Sequence, residues 1–151
     1  MAILEIRKAG DKVLKEICQP VEKIDRNIRQ TLNDMAETMY KANGVGLAAP
    51  QVGISLRLVV IDIGEGLIEL INPMIIKSEG REKDTEGCLS IPDIYGEVER
   101  YSKVTVESLN RHGKKQCLTG EGLLARAFQH ELDHLDGVLF IDRAETIQRG
   151  N

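Results

Sequence analysis

Near its C-terminal end the sequence contains the pattern His-Glu-x-x-His, formed by His130, Glu131 and His134. Residues four apart on an α-helix lie one turn apart on the same surface, so the two imidazoles can hold a single metal ion. Glu131 lies about 100° around the helix axis from His130, where its carboxylate can act as a general base. The alternative is a polar helix on which two histidines have this spacing by chance. Other segments of the sequence are needed to distinguish this alternative from a metal site.

The hydrophobic periodicity around this pattern predicts a helix from Leu123 to Leu135. Leu123, Ala127, His130 and His134 fall on one stripe of that helix, which is otherwise apolar and faces inward. Burying polar groups on such a face costs on the order of several kcal/mol unless they are paired or bound to a metal. The context therefore favours a metal site.

A catalytic site of the zinc type takes three protein ligands and leaves one position for water. No residue after His134 has an obvious ligand context, and the best upstream candidate is Cys88, which follows Gly87 and has room to meet an ion. A structural site would need a fourth protein ligand and no general base. Because Glu131 stands where a base belongs and no fourth ligand is apparent, the pattern favours a catalytic site.

The remaining elements predict an α+β fold. Asp25 reads as the N-cap of a helix from about Arg26 to Ala42, and a short helical piece is expected at residues 12–17. Apolar runs predict short strands at residues 56–63, 67–71, 74–76, 98–101, 104–109 and 116–118. We expect these short antiparallel strands to pack around a central C-terminal helix that carries the metal-binding motif.

Composition places limits on domain number and function. A chain of 151 residues with no repeat and no long linker predicts one catalytic domain, residues 1–151. The net charge of -4 argues against nucleic-acid binding, and no apolar run approaches the ~18 residues that a membrane span needs. Because the N-terminal residues are charged and include no long apolar run, we expect no signal peptide, and three cysteines, an odd number, fit a reduced cytoplasmic protein.

Three segments together resemble the signature motifs of bacterial peptide deformylases, in that family's order and with similar spacing: residues 44–51 (GVGLAAPQ), 86–90 (EGCLS) and 129–135 (QHELDHL). The resemblance extends over most of the chain, to about Phe140. It implies a metal-dependent hydrolase that removes the formyl group from N-formylmethionyl peptides and releases formate. Taken without the resemblance, residues 44–51 could be a plain helix-to-strand connection.

The resemblance also implies roles for particular residues. Cys88, His130 and His134 would bind a divalent ion, with Fe2+ as the native metal and Zn2+, Ni2+ or Co2+ as substitutes. Glu131 would be the general base and then the general acid. Further implied residues are the donors to the reacting oxygen, Gln51 and the backbone of Leu89; the peptide-binding backbone of Val45 and Gly46; and a methionine pocket formed by Val45, Leu123, Ala127 and His130.

The implied partners are N-formylmethionyl nascent peptides, with transient proximity to the ribosome, and we expect a cytoplasmic monomer that binds neither membranes nor nucleic acid. The sequence departs from the family in two places. Many members continue into a long C-terminal helix, whereas this sequence ends at Asn151, which bears on ribosome docking. Tyr95 stands where some members have an arginine near the peptide. Asp133 is expected either to contact Arg100 or to be solvated.

Two other functions remain as alternatives at this point. A general metallopeptidase would use similar machinery, and the position of the cleaved bond distinguishes it from a deformylase. A structural-metal binding module would use the same ligands without turnover and would be indifferent to Glu131→Gln.

Overall fold

The computed structural model describes residues 2–150, and it has the predicted α+β architecture. In chain order the main elements are α1 (Arg26–Lys41), β1 (Gly46–Ala48), β2 (Leu58–Ile61), β3 (Ile68–Glu79), β4 (Glu82–Cys88), β5 (Ile91–Arg100), β6 (Lys103–Leu109), β7 (Lys115–Glu121), α2 (Leu123–Leu135) and β8 (Thr146–Arg149). Short 3-10 helices occupy Lys12–Lys15, Ala49–Val52 and Phe140–Asp142.

Two antiparallel sheets enclose α2. The five-stranded sheet has the order β1-β2-β3-β6-β7, and the three-stranded sheet has the order β4-β5-β8. One side of α2 packs on the five-stranded sheet through Ala125, Phe128 and Leu132. On its other side, Arg126 donates hydrogen bonds to the three-stranded sheet. The helix that carries the histidines is therefore covered by a sheet on each side.

The position of β2 between two helices explains why its sequence is continuously apolar. Val59 and Ile61 pack in the same core cluster as α2, whereas Leu58 and Val60 pack in the cluster that contains α1. Successive side chains of a strand point to opposite faces, so a strand with a helix on each side must be apolar at every position. The burial of all four residues follows from that arrangement.

Both predicted long helices are confirmed. Helix α2 has the predicted bounds, and α1 ends one residue before the predicted Ala42. Asp25 is the N-cap of α1, because its Oδ1 atom accepts a hydrogen bond from the backbone N–H of Ile28 at 3.0 Å. The piece predicted at residues 12–17 is shorter, a 3-10 helix over Lys12–Lys15.

The strand predictions were less accurate, and the strands are not all short. Residues 68–71 and 74–76 belong to one strand of 12 residues, β3, because Asn72 and Pro73 are accommodated by an irregularity in the pairing with β6 rather than ending the strand. Of the strand predicted at residues 98–101, residues 98–100 are the end of the longer β5, and residue 101 lies outside it. Strands β1, β4 and β8 were missed, since β1 has only three residues and neither β4 nor β8 has the apolar alternation that a half-buried strand shows.

Within residues 2–150, no helix combines the length and the apolar character required to cross a membrane.

Candidate metal centre

A cleft of about 500 Å³ opens beside α2, and nine of the ten site residues predicted from the sequence line it. These nine are Val45, Gly46, Gln51, Cys88, Leu89, Leu123, Ala127, His130 and Glu131. The tenth, His134, is 1% exposed. The structure therefore brings together side chains that are more than eighty positions apart in the sequence.

Three potential metal ligands meet at this cleft. One donor atom each from Cys88, His130 and His134 lies within 4.8 Å of the others. The Sγ atom of Cys88 is 3.4 Å from Nε2 of His134, and the two imidazole rings lie edge to face with centroids 5.1 Å apart. In the described part of the chain, no other group of three such residues converges in this way.

Two different elements supply these ligands. His130 and His134 project from α2, one turn apart, as the sequence pattern requires. Cys88 is the last residue of β4, directly before the turn to β5, where it pairs with Ile91. A shift in the pairing between Glu86 and Cys88 bends the strand at that point. Bulges of this kind redirect a side chain, and this one occurs beside the histidines.

Glu86 fixes the orientation of His130. Its Oε1 atom is 2.9 Å from Nδ1 of His130, and its Oε2 atom accepts hydrogen bonds from Arg100 and Arg126, each at 2.6 Å. Burial raises the pKa of Glu86, but the hydrogen bonds and charges of Arg100 and His130 outweigh that effect and hold the pKa below its usual range. An ionised carboxylate only accepts hydrogen bonds, so Nδ1 of His130 carries a proton, and in the neutral ring Nε2 is then free to bind a metal.

His134 differs from His130 in its surroundings. Among residues 2–150, its Nδ1 atom has no hydrogen-bond partner. Burial lowers the pKa of His134 well below its ordinary value, and the neighbouring His130 lowers it further. The ring is therefore neutral, which is the form that binds metals.

Asp133 contacts Arg100, which was one of the two alternatives considered for it. Its Oδ2 atom accepts hydrogen bonds from Nη1 of Arg100 at 2.8 Å and from Nε of Arg143 at 2.6 Å. Asp133 thus holds the same guanidinium group that holds Glu86. A chain of charged groups runs in this way from the surface to His130.

Glu131 is 4% exposed and lies against the backbone of β1. A Cβ atom built on Gly46 would be only 2.5 Å from its Oε2 atom, so the carboxylate occupies the space that the glycine leaves. Within the described residues, its Oε1 atom makes no hydrogen bond. Burial raises the pKa of Glu131 to about 7, although the charge of His130 opposes that effect.

The side chain of Gln51 is buried and held at both ends. Its Oε1 atom accepts a hydrogen bond from the backbone N–H of Ala48 at 3.0 Å. Its Nε2 atom donates to Oγ of Ser90 at 3.1 Å and lies 3.4 Å from Sγ of Cys88. The amide therefore directs an N–H group toward the ligand cluster.

Apolar side chains form the rim of the cleft. Val45 is 45% exposed and Leu123 is 54% exposed, whereas Ala127 is buried. Leu123 was expected on the inward stripe of α2, but it lies at the cleft and is exposed. These three side chains provide an apolar surface next to the metal ligands.

Sequence reasoning did not find Glu86 and Arg126 as site residues. Arg126 lies one turn before His130, and the two side chains share the Glu86 carboxylate. Arg126 is a charged residue on the inward side of α2, four positions before the ligand His130. That position could have indicated that Arg126 has a buried acidic partner, which is Glu86.

The model of the family described as polypeptide deformylase matches residues 3–150 of this chain. The peptide deformylase of Carboxydothermus hydrogenoformans is 58% identical over 149 residues, which cover 99% of this chain and 98% of that protein. The peptide deformylase of Desulfitobacterium hafniense is also 58% identical over 149 residues, with 99% of each chain covered.

Solved structures give the same result. The crystal structure of peptide deformylase from Thermotoga maritima aligns with a TM-score of 0.93 and 48% identity, covering 95% of this chain and 99% of that one. The peptide deformylase from Synechococcus elongatus in complex with actinonin aligns with a TM-score of 0.92 and 49% identity, covering 95% and 79% of the two chains.

Proposed function

The chain belongs to the polypeptide deformylase family and removes the N-terminal formyl group from newly made peptides, and on this premise we propose a role for each residue of its metal centre. We assign the reaction to one catalytic domain, residues 1–151. The observation that carries these assignments is the convergence of Cys88, His130 and His134 within 4.8 Å, beside the buried Glu131.

The three ligand residues fit a divalent transition metal. Thiolate and imidazole groups suit such ions, and three protein ligands leave one position for a reactant. The hydrogen bond from Nδ1 of His130 to Glu86 supports this assignment, because it leaves Nε2 free on the side of the cluster. We propose Fe2+ as the native metal, with Zn2+, Ni2+ or Co2+ as substitutes. Held by Cys88, His130 and His134, such an ion would polarise the formyl oxygen and would lower the pKa of water so that it can attack at neutral pH.

We assign the proton transfers to Glu131. Its Oε1 atom is buried and makes no hydrogen bond within residues 2–150, so this atom is available to accept a proton from the attacking water. The same carboxyl group then donates that proton to the amine that leaves when the C–N bond breaks. Formate and a peptide with a free N-terminus are the products.

Gln51 and Leu89 stabilise the charge that develops on the formyl oxygen. The Nε2 atom of Gln51 lies 3.4 Å from Sγ of Cys88, so the amide is already directed at the reaction site. The backbone N–H of Leu89, the residue after the ligand Cys88, supplies the second donor. Donors that are fixed before the reaction lower the barrier more than donors that must reorient.

The substrate lies along the cleft between β1 and α2. The backbone of Val45 and Gly46 holds the peptide, and the missing side chain of Gly46 leaves room for the Glu131 carboxylate beside it. The methionine side chain packs against Val45, Leu123, Ala127 and the ring of His130, all of which line the cleft. The exposed apolar surface of Leu123 supports this assignment.

The substrates are N-formylmethionyl nascent peptides. Because these chains carry the formyl group as they are made, we propose that the protein acts in the cytoplasm, as a monomer, in transient proximity to the ribosome. The net charge of -4 supports the absence of direct nucleic-acid binding.

Release of formate from formyl-Met-Ala-Ser tests these assignments. The assay uses protein loaded with Fe2+ or Ni2+ without oxygen and compares the wild type with Glu131→Gln. We expect Glu131→Gln to lower kcat by about 10²- to 10⁴-fold, because it removes the proton acceptor. Glu121→Gln is the matched control, since Glu121 is an exposed residue at the end of β7.

Metal content is measured on the same samples. Loss of turnover with full metal content supports the role of Glu131. Full turnover in Glu131→Gln would contradict it, and cleavage of peptide bonds instead of formate release would favour the general metallopeptidase. A wild type that binds no divalent metal would contradict the assignment of Cys88, His130 and His134.

A further inference from the structure

Residues 7–11, which we call the N-terminal segment, bind the backbone of two pieces of chain that border the metal centre. The backbone N–H of Arg7 donates to the carbonyl oxygen of Gln51 at 2.6 Å, and the backbone N–H of Ala9 donates to the carbonyl oxygen of Ser90 at 2.8 Å. Gln51 lies in a 3-10 helix, and Ser90 lies in the turn between β4 and β5. The N-terminal segment therefore links this helix to this turn.

These two bonds complete a closed ring of hydrogen bonds around Gln51. The side chain of Gln51 donates from Nε2 to Oγ of Ser90 at 3.1 Å. Gln51 and Ser90, both buried, are thus joined twice, once through their side chains and once through the backbone of Arg7 and Ala9. A rotation of the Gln51 amide must break its bond to Ser90, and the position of Ser90 is fixed by Ala9.

The side chain of Arg7 fastens the N-terminal segment to the same 3-10 helix. Gly53 ends that helix with a φ of 84°, and a Cβ atom built on it would lie 2.9 Å from Nη2 and 3.1 Å from Cζ of Arg7. The guanidinium group therefore packs directly against the Gly53 backbone. Its Nη1 atom donates to Oδ2 of Asp11 at 3.1 Å, which holds the group in this position.

Apolar side chains anchor the chain on both sides of the N-terminal segment. Leu4 packs against the core cluster that contains Val52 of the 3-10 helix. Leu14 is buried in another cluster together with Ile91, the residue after Ser90. The N-terminal segment is therefore held in place relative to both pieces of chain, and its two hydrogen bonds can fix how they lie against each other.

We propose that Arg7 and Ala9 are positioning residues for deformylation, which hold the Gln51 amide in the orientation that stabilises the charge on the formyl oxygen. This proposal rests on the proposed function, because it uses the donor role assigned there to Gln51. The Gln51 side chain has several rotatable bonds, so its effect as a donor depends on what fixes it before the reaction. Neither Arg7 nor Ala9 lines the cleft, so both act through Gln51.

A purely structural role for the N-terminal segment gives a different expectation. Its hydrogen bonds would then add to stability, and a variant would lose activity only as far as it loses folded protein or bound metal. Such a loss would be the same whether or not Gln51 is present, because independent effects add. The dependence of the loss on Gln51 therefore distinguishes the two roles.

The test measures formate release from formyl-Met-Ala-Ser by the metal-loaded protein. Ala9→Pro removes the N–H that binds Ser90, and Lys8→Pro is the matched control, because the N–H of Lys8 donates no backbone hydrogen bond within residues 2–150. We expect Ala9→Pro to lower kcat by about 3- to 30-fold with KM and metal content unchanged, since a displaced donor weakens only the transition state. Lys8→Pro should leave kcat close to that of the wild type.

The same two substitutions are then made in Gln51→Ala, and protein in excess over peptide allows the slow reaction to be followed in a single turnover. If Ala9 acts through Gln51, the loss caused by Ala9→Pro should disappear in this background. An equal loss in both backgrounds would overturn the proposal. An unchanged kcat in Ala9→Pro, or an equal loss in Lys8→Pro, would overturn it as well.

Arg7→Ala keeps the test decisive if Ala9→Pro does not fold. It retains the backbone hydrogen bonds of the N-terminal segment but removes the guanidinium group from Gly53, and it should lower kcat only where Gln51 is present. Lys12→Ala is its control, because it removes an exposed cation close to the segment. Thermal unfolding shows which variants are folded, and an unchanged kcat in Arg7→Ala would overturn the role of Arg7.

The outcomes separate this proposal from the proposed function. No formate release by the wild type, or an unchanged kcat in Gln51→Ala, would contradict the proposed function. Formate release that depends on Gln51 but not on Arg7 and Ala9 would overturn only the positioning role.

Discussion

Nδ1 of His130 lies 2.9 Å from Oε1 of Glu86, so a residue of β4 sets the orientation of an imidazole on α2. The carboxylate is itself held by Arg100 and Arg126, and its side chain is 4% exposed. A ligand that is oriented in this way loses less conformational freedom when a metal binds. The metal centre therefore depends on a buried ion cluster as well as on its three ligands.

Replacing Glu86 by Gln should weaken metal binding by about 10- to 100-fold, because the carboxylate that orients His130 and fixes its proton is lost. Competition with a chelator of known affinity measures the change. Glu99→Gln is the control, since Glu99 is an exposed acid on the adjacent strand β5. Equal metal affinity in Glu86→Gln and the wild type would contradict this role.

Gly46→Ala should lower kcat by about 10²-fold while leaving metal content unchanged, because a displacement of about 1 Å in a catalytic group can have an effect of that size. The added Cβ would lie 2.5 Å from Oε2 of Glu131 and must displace the carboxylate. Gly120→Ala is the matched control, since its Cβ would press only on the side chain of Leu124 at 2.7 Å, outside the cleft. Unchanged kcat in Gly46→Ala would show that the carboxylate position is not critical.

The ionisation of Tyr40 should depend on Asp62. The Tyr40 hydroxyl donates a hydrogen bond to Oδ2 of Asp62 at 2.6 Å. This hydrogen bond, together with smaller effects of burial and of the carboxylate charge, raises the pKa of Tyr40 to about 12. Asp62→Asn should let Tyr40 ionise at lower pH, as measured by ultraviolet absorption, with Tyr40→Phe identifying its signal.

The same pair predicts a stability change with a defined sign. The folded pKa of Tyr40 is above the value of about 10 in the unfolded chain, so the stabilisation is complete below pH 10 and is lost as the pH rises through 12. The difference in free energy of unfolding between the wild type and Asp62→Asn should therefore be constant near neutral pH and shrink above pH 10. A difference that grows above pH 10 would contradict the pairing.

If Fe2+ is the native metal, activity should fall in air, because a redox-active ion held by the Cys88 thiolate promotes oxidation of that sulfur. The half-life of the iron form is compared in aerobic and oxygen-free buffer, and the Zn2+ form serves as the control. Equal half-lives for the iron form under both conditions would count against iron. Mass spectrometry should place the added oxygen on Cys88.

Local signals were enough to predict α2 and its ligands. Helical periodicity depends on neighbouring residues, so the bounds Leu123–Leu135 and the common face of His130 and His134 could be derived from the sequence. Cys88 could be predicted as the third ligand because few other residues had a suitable context. The resemblance to the peptide deformylases then supplied roles, such as that of Gln51, that the residues alone did not indicate.

Only the tertiary structure revealed what surrounds those ligands. Strand β4 has a polar sequence without alternation and forms because β5 pairs with it along its whole length, so its existence depends on residues elsewhere in the chain. For the same reason Glu86 could not be connected to Arg126. Contacts between distant segments follow from register and packing, which no single stretch of sequence contains.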